Sequence, residues 1–392
     1  MLKTPHSSIQ ETLTRGVEEI IGKEDLETYF KENRTLRIKL GVDPTSPNIH
    51  IGRSIPLLKL RDFQELGHKI VLIIGDFTGT IGDTSDKTAE RPMLDQAAVE
   101  TNMQNYIQQV SKILDISKCE IHYNSEWFKD MGYREICRQA DLFSVNDFNA
   151  RDNIARRLTA GKRVSLREML YPLMQGYDSV AIKADVEIGG MDQRFNILAG
   201  RTMQKHYGQR PQVVMLNPLI EGLDGRKMSS SWGNTINLMD SPRDMFGKLM
   251  SLNDEFIIKY FTLLTRIDRK TIEDYSAHLA NKGNPRDIKL KLASVIVSQY
   301  HSETTAKQEE DYFIKTFSKK ELPDELTVVT PTSHDLITVL LESELASSRS
   351  EARRVIEQGG VKIDQTTVKD MAYKVPRGSV VQKGKVRFVR VG

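Results

Sequence analysis

LRIKLGVDPTSPNIHIGR, residues 36 to 53, is the stretch that decides the fold. Its first seven residues, Leu36–Val42, are mostly apolar and have the length of a strand. Apolar side chains then recur at helical spacing over Ile51–Leu66, and Gly67 follows as a typical helix stop. A strand that leads through a short polar loop into a helix is the opening unit of a doubly wound α/β fold.

The pattern of strand and helix continues on the carboxyl side of this stretch. KIVLII at Lys69–Ile74 is a nearly continuous apolar run, typical of a strand buried on both faces. The further elements expected are helices at Asp95–Leu114 and Gln193–Tyr207 and strands at Cys119–Tyr123, Val180–Ile188 and Gln212–Leu216. This order predicts a Rossmann-like parallel sheet, whose ligands bind at the carboxyl ends of the strands.

The alternation of predicted strands and helices ends at about Asn234. Residues 242–318 have mostly helical composition, and Pro323–Asp335 reads as a linker. Two short helices, Leu336–Leu345 and Ser350–Gln358, precede a basic tail rich in strand-forming residues. We expect three domains: an α/β domain at 1–232, an α-helical domain at 233–325 and a small α+β domain at 332–392.

Composition narrows the class of protein. The chain has 392 residues, 39% hydrophobic and 28% charged, as in ordinary globular proteins. Two cysteines, Cys119 and Cys137, make neither a disulfide framework nor a metal motif. No apolar run approaches the length that crosses a bilayer, and no signal-peptide core begins the chain. We therefore expect a cytoplasmic protein without a bound structural metal or a membrane partner.

Charge is unevenly distributed. The whole chain carries +3, but Leu345–Gly392 holds eleven Lys and Arg against four Asp and Glu, a net charge of +7. Such a basic terminal segment is typical of a module that binds nucleic acid. Charge alone is equally compatible with a solvated basic face.

Two motifs carry chemistry. In GVDPTSPNIHIGR, Gly41–Arg53, a helix N-terminus offers free N–H groups to phosphate, Gly52 allows a close approach, and His50 can donate a hydrogen bond. In GRKMSSS, Gly225–Ser231, cations and hydroxyls suit a loop that closes on polyphosphate. Taken singly, a plain strand-to-helix turn and a polar surface loop explain them as well.

The pair of motifs, about 175 residues apart, resembles the HIGH and KMSKS signatures of class I aminoacyl-tRNA synthetases. Three further stretches look like tyrosyl-tRNA synthetases: GDFTGTIGDTSDKTAER at Gly75–Arg91, LYPLMQGYDSV at Leu170–Val180 and GGMDQRFN at Gly189–Asn196. The tail around SSRSEARRVIEQGGVKID resembles the S4 RNA-binding module. The resemblance implies tyrosine–tRNA ligation: activation of tyrosine with ATP, then transfer to tRNA.

The resemblance also implies a tyrosine site. Asp178 would accept the phenol hydroxyl, Asp83 would meet the ammonium with Tyr171 and Gln175, and Gln193 would lie near the carboxylate. The spacing of Tyr171, Gln175 and Asp178 places these three on one helical face. The full set expected to bind tyrosine is Lys39, Asp43, Thr78, Asp83, Tyr171, Gln175, Asp178 and Gln193.

By the same resemblance, catalytic contacts to the polyphosphate come from Thr45, His50, Lys227, Lys87 and Arg91. The residues expected to bind ATP are His50, Gly52, Arg53, Asp192, Lys227, Met228, Ser229 and Ser230. Mg²⁺ is expected to accompany ATP. Phosphates of tRNA are expected to meet Arg349, Arg353, Arg354 and Lys362. The family is typically a homodimer, and Glu126–Arg157, with Phe143 and Phe148, is the candidate for part of the dimer contact; its apolar residues are equally compatible with an internal core.

Three positions depart from the family pattern. Arg53 replaces the histidine that usually ends the first motif, and Ser230 replaces a lysine of the second, for which Arg226 is a possible substitute. Lys39 stands where well-known bacterial members have a tyrosine that touches the phenol hydroxyl; Lys39 either donates to that oxygen or faces elsewhere on the strand. Three alternatives stay open: a tryptophan enzyme of the same class, another nucleotidylyltransferase, and a non-catalytic RNA-binding relative.

Overall fold

The structure is a computed structural model that describes residues 8–84, 93, 95–103, 105–318, 326–384 and 387–392. The chain divides into two compact units, 1–307 and 308–392. In the described residues, no helix is both long and apolar enough to cross a membrane.

A six-stranded sheet forms the centre of the first unit, as predicted for a Rossmann-like fold. Its strands are β1 (Glu19–Ile21), β2 (Arg37–Val42), β3 (Lys69–Ile74), β4 (Cys119–Tyr123), β5 (Val186–Gly190) and β6 (Val213–Asn217). They lie in the order β1-β6-β5-β2-β3-β4, parallel except for the edge strand β1. The order runs outward in both directions from the neighbours β2 and β5, so the switch point, where doubly wound sheets bind ligands, lies between them.

Helices cover the sheet and continue beyond it. Those before β5 are α1 (Ile9–Thr14), α2 (Lys23–Lys31), α3 (Ile51–Glu65), α4 (Thr78–Ile81), α5 (Gln96–Met103), α6 (Tyr106–Val110), α7 (Ser125–Phe128), α8 (Tyr133–Ala140), α9 (Val145–Asn149), α10 (Asp152–Thr159) and α11 (Leu166–Ala181). Those after β5 are α12 (Arg194–His206), α13 (Pro242–Met250), α14 (Ile257–Leu264), α15 (Arg269–Ala280), α16 (Pro285–Tyr300) and α17 (Glu303–Ser318). Short 3-10 turns occupy Ile116–Lys118, Met191–Gln193, Ser230–Trp232 and Asp254–Phe256. The helical composition of 242–318 is confirmed.

Helix α11 ends later than the sequence pattern indicated. A capping box of Ser165 and Glu168 starts it. It runs through Ala181 and β5 begins only at Val186, so the predicted strand at Val180–Ile188 is wrong over residues 180–185. The chain turns only at Lys183, which has a positive φ of 51°. Val180 belongs to the buried face of α11, whereas Val186 and Ile188 belong to β5, so one apolar pattern covered two different elements.

Close packing of α11 on α12 depends on one glycine. A Cβ on Gly176 would lie 3.0 Å from the carbonyl carbon of Ala199 on α12. The absence of a side chain there lets the two backbones approach, so that α11 holds its opposite face towards the sheet.

The second unit has its own sheet and core. Its helices are α18 (Leu336–Glu342) and α19 (Arg349–Glu357), and its strands are β7 (Val328–Val329), β8 (Val361–Ile363), β9 (Thr366–Thr367), β10 (Val380–Lys383) and β11 (Arg387–Val391), in the order β7-β11-β10-β8-β9. Buried Leu336, Leu340, Ile356 and Val381 belong to one apolar core. The expected sequence of helix, basic helix, turn and strand is confirmed, with Gly359 at φ +69° in the turn.

Candidate active site

One cleft gathers most of the predicted site residues. It lies at the carboxyl ends of β2 and β5, at the switch point of the sheet. The predicted residues that line it are Asp43, Thr45, His50, Gly52, Arg53, Thr78, Asp83, Tyr171, Gln175, Asp178, Asp192, Gln193, Lys227, Met228, Ser229 and Ser230. Of the other predicted cleft residues, Lys39 is absent from the lining, and Lys87 and Arg91 lie outside the described residues.

His50 caps the N-terminus of α3 at the floor of the cleft. Burial, with the nearby charges of Arg53 and Lys227, lowers the pKa of its imidazole to about 3. The ring is therefore neutral at physiological pH. A neutral imidazole offers one N–H donor to a phosphate oxygen, without bringing a second positive charge beside Arg53.

Gly52 allows ligand approach beside this ring. A Cβ at position 52 would lie 3.0 Å from His50 Nδ1 and 3.1 Å from Ile220 Cγ2. Arg53, the departure from the family pattern, donates from Nη1 to the hydroxyl of Tyr106 at 2.9 Å. Its guanidinium is thus anchored by α6 while it lines the cleft.

Helix α11 presents Tyr171, Gln175 and Asp178 to the cleft, as their spacing predicted. The Tyr171 hydroxyl donates to Asp43 Oδ2 at 2.7 Å, and the Thr78 hydroxyl donates to Asp43 Oδ1 at 2.8 Å. Burial and the negative charge of Asp43 raise the pKa of Tyr171 well above its usual value. Asp43 therefore orients two hydroxyls of the cleft.

Asp178 is the last of the three α11 residues that line the cleft. Its side chain is buried, and burial raises its pKa to about 7, although Lys39 and a hydrogen bond from Trp127 oppose that shift. Trp127 Nε1 donates to Asp178 Oδ1 at 2.9 Å. In the part of the chain that the structure describes, Oδ2 has no recorded hydrogen bond, which leaves an acceptor for a ligand.

Asp83 lines the same cleft as Tyr171 and Gln175, with which it is expected to meet the ammonium of tyrosine. Gln193 Nε2 donates to Asp83 Oδ2 at 2.8 Å, and Asn196 Nδ2 donates to Asp83 Oδ1 at 3.4 Å. Tyr171 donates its own proton to Asp43, which directly follows the end of β2 at Val42.

Lys39 is fully buried behind the cleft and does not line it. Its ammonium donates to Gln175 O at 2.9 Å and Ser179 Oγ at 2.7 Å, and pairs with Glu187 Oε1 at 3.0 Å. These partners match the three donors of an ammonium group. A direct contact between Lys39 and tyrosine, as expected from the sequence, would require breaking one of them.

The second motif reaches the cleft through Lys227, whose Nζ donates to Asp192 Oδ2 at 2.9 Å. Arg226, considered a substitute for the missing lysine, does not line the cleft. Its guanidinium bonds to Asp224 and lies 4.6 Å from the centre of the Trp232 ring. The structure therefore does not support that substitution.

Sequence reasoning missed three polar residues of the site. Asn124, directly after β4, donates to Thr78 Oγ1 at 2.8 Å and lines the cleft. Its position at the carboxyl end of a predicted parallel strand was the available signal. Glu187, a charged residue within an apolar strand, was a second signal, whereas nothing local pointed to Trp127.

Other predicted residues lie elsewhere. Arg349, Arg353 and Arg354 on α19 and Lys362 on β8 are exposed on the second unit. Phe148, expected at a dimer contact, is buried in an internal core, and Phe143 packs against that core. Among the described residues, no group of three or more His, Cys, Asp or Glu side chains forms a metal site.

Comparison with known families identifies the class. The model of the family described as class I tRNA synthetases (W and Y) matches residues 31–318, and the S4 domain model matches residues 336–381. The first match spans well over half of the chain, so the chain belongs to the class I tRNA synthetases.

Its relatives specify the branch of this class. Tyrosine–tRNA ligase of Thermotoga maritima is 46% identical, over 99% of this chain and 98% of its own. Tyrosine–tRNA ligase 2 of Vibrio vulnificus is 44% identical, over 97% of both chains. The chain thus belongs to the tyrosine–tRNA ligase family. A solved tyrosyl-tRNA synthetase of Archaeoglobus fulgidus, complexed with L-tyrosine, shares the fold with a TM-score of 0.62 and 23% identity, over 77% of this chain and 100% of that one.

Proposed function

We propose that this chain activates L-tyrosine with ATP and transfers it to the terminal adenosine of a tRNA that accepts tyrosine. The observation that carries the proposal is the row Tyr171, Gln175 and Asp178, which faces the same cleft as both class I motifs. An amino acid held by this row has its carboxylate towards the motifs. The S4 match at residues 336–381 and the relatives that are tyrosine–tRNA ligases favour tyrosine over tryptophan.

Activation needs no covalent enzyme intermediate. A carboxylate oxygen of tyrosine attacks the α-phosphorus of ATP, forming one P–O bond as the bond to pyrophosphate breaks. A terminal ribose hydroxyl of tRNA then attacks the carbonyl carbon of the adenylate, loses its proton, and releases AMP. Catalysis consists of alignment and stabilisation of charge, which His, Lys and Thr side chains supply.

Tyrosine would be held at both ends. Asp178 Oδ2 accepts from the phenol hydroxyl. The ammonium donates to Gln175, to Tyr171 and to Asp83. Because Tyr171 gives its own proton to Asp43, its oxygen keeps lone pairs for the ammonium. Gln193, bound to Asp83, lies near the substrate carboxylate.

ATP would lie over the N-terminus of α3. Thr45, neutral His50 and the backbone at Gly52 meet the polyphosphate, and Asp192 meets the ribose. Lys227 leaves Asp192 to neutralise the departing pyrophosphate. Met228, Ser229 and Ser230 complete the nucleotide side of the cleft, Arg53 borders it, and Lys87 and Arg91 stay predictions for the same polyphosphate. Mg²⁺ would bind together with ATP and neutralise part of the charge of the ATP phosphates.

The second unit would bind tRNA. Arg349, Arg353, Arg354 and Lys362 are exposed and have no recorded ion pair within the described chain. Arginines and lysines in this state are suited to phosphate contacts, whose strength falls as salt rises. The S4 match covers all four residues.

A homodimer and a cytoplasmic location remain predictions. The large apolar side chains exposed on this part of the first unit include Tyr133 (87%), Leu166 (77%) and Val145 (62%). Tyr133 and Val145 lie within the expected segment Glu126–Arg157, Leu166 follows it, and all three replace buried Phe148 as candidates for the dimer contact. Sedimentation of the purified chain would measure the oligomeric state.

ATP–pyrophosphate exchange tests the proposed function. The purified chain is given tyrosine, phenylalanine or tryptophan separately. We expect exchange that depends on tyrosine. Exchange with tryptophan would overturn the pocket assignment, and no exchange from folded protein would favour a non-catalytic RNA-binding relative.

A further inference from the structure

A network of buried polar groups borders the proposed tyrosine site; of its members, Gln175 and Glu187 line the cleft. At its centre is Glu187 on β5, whose side chain is 1% exposed. Its Oε1 accepts from Lys39 Nζ at 3.0 Å and Gln175 Nε2 at 3.1 Å. Its Oε2 accepts from Ser179 Oγ at 3.0 Å and Gln212 Nε2 at 2.5 Å. Four donors therefore surround one carboxylate, which leaves little capacity for a ligand.

Strand pairing brings the two charges together. Lys39 on β2 and Glu187 on β5 are direct partners in the parallel ladder. Both side chains are almost completely buried, at 0% and 1% exposure. A buried charge pair is seldom a net source of stability, since desolvation offsets the attraction. The position of this charge pair beside a ligand cleft therefore indicates a role other than stability.

The carboxylate determines the orientation of one amide. An ionised carboxylate only accepts hydrogen bonds, so the Gln175 group that faces it must be the NH₂ and not the oxygen. The carboxamide oxygen of Gln175 has no recorded hydrogen bond in the described part of the chain, and Gln175 lines the cleft. It is therefore available to accept from a ligand.

We propose that Glu187 is a positioning residue for the ammonium group of tyrosine, acting through Gln175, with Lys39 as its buried counter-ion. Glu187 holds the Gln175 NH₂ and so presents the oxygen to the ammonium. Lys39 balances the charge of Glu187 and also donates to the backbone oxygen of Gln175. The inference rests on the proposed function and extends it to Glu187, whose two oxygens already accept from protein donors, and to Lys39, which does not line the cleft.

The test compares two ligands on the full chain. The first is tyrosine, and the second is 3-(4-hydroxyphenyl)propanoate, which lacks only the ammonium group. The principal variant is Lys39→Met/Glu187→Met, which removes both charges at similar volume and so avoids an unpaired buried ion. Dissociation constants are measured by calorimetry, and melting curves monitor folding.

We expect the double variant to bind tyrosine about tenfold more weakly, the effect of one charge-assisted hydrogen bond. Binding of the ligand without the ammonium should change little. Gln175→Met should show the same selective loss, and this single change leaves the charge pair intact if the double variant fails to fold. A triple variant combines Gln175→Met with Lys39→Met/Glu187→Met. Its selective loss of tyrosine binding should be no larger than that of Gln175→Met alone.

Gln212→Met is the matched control. It removes a hydrogen bond to the other oxygen of Glu187, and Gln212 does not line the cleft. In this variant, the ratio of the dissociation constants of the two ligands should stay at the wild-type value. Equal weakening of both ligands by Lys39→Met/Glu187→Met, or no effect on either, would overturn this inference alone. A folded wild-type chain that binds no tyrosine would overturn the proposed function as well.

Discussion

Lys227 Nζ lies 2.9 Å from Asp192 Oδ2, so the cation of the second motif is paired with a carboxylate of the nucleotide side of the cleft. The two side chains are 29% and 22% exposed, and the pair is therefore only partly shielded from solvent. Such a pair contributes little to stability and separates readily. It keeps Lys227 within the cleft until a polyphosphate offers more negative charge than Asp192 does.

Lys227→Met should lower the kcat of tyrosine-dependent pyrophosphate exchange about 100-fold, the effect of removing one group that stabilises transition-state charge. KM for tyrosine should change little, because Lys227 lies on the nucleotide side. Steady-state exchange kinetics measure both quantities. Arg226→Met is the neighbouring control: its guanidinium is held by Asp224 outside the cleft lining. Equal losses in the two variants would contradict this assignment.

Asp178→Asn should weaken tyrosine binding about tenfold, since the acceptor for the phenol hydroxyl loses its charge. Phenylalanine has no hydroxyl to bind and should be affected much less, so discrimination between the two amino acids falls. Asparagine still offers an oxygen to Trp127, which limits rearrangement of the pocket. Titration with each amino acid gives the two constants. An unchanged ratio would rule out phenol recognition by Asp178.

The same variant should alter stability in a pH-dependent way. Burial raises the pKa of Asp178 to about 7, above the value of about 3.9 of an unfolded chain. Between these values the folded protein binds more protons than the unfolded one, so this group's contribution to the free energy of unfolding falls as pH rises. Above about pH 7 the contribution of Asp178 to the free energy of unfolding no longer changes with pH. Asp178→Asn should therefore raise Tm relative to wild type more at pH 8 than at pH 5. A difference that is independent of pH would contradict the raised pKa.

Arg353→Gln/Arg354→Gln should weaken tRNA binding and leave pyrophosphate exchange unchanged. Each lost phosphate contact lowers the slope of log K against log salt by about one. Filter binding over a range of salt measures the slope. Lys23→Gln, an exposed charge change on the first unit, serves as the control. A loss of exchange in the arginine variant would count against a role limited to tRNA.

Local patterns were sufficient for most elements of the first sheet. The run Lys69–Ile74 was predicted with the bounds that β3 has, because a strand buried on both faces is continuously apolar. Contacts between distant residues decided where the patterns failed. The helical stretch predicted at Asp95–Leu114 is confirmed in α5 and α6 but ends early, at Val110. In α6, buried Gln109 binds Ile49 N at 2.7 Å and Pro47 O at 2.8 Å, contacts that no local pattern encodes.

The sequence by itself determined the family, the two motifs and the helical row of Tyr171, Gln175 and Asp178, because each depends on residues close together in the chain. Only the tertiary structure decided which groups meet across the sheet. Tyr171 bonds to Asp43, 128 positions away. Lys39 bonds to Glu187 and not to the cleft. Both outcomes follow from the register of β2 on β5 and the close packing of α11, which arise only when the whole core assembles.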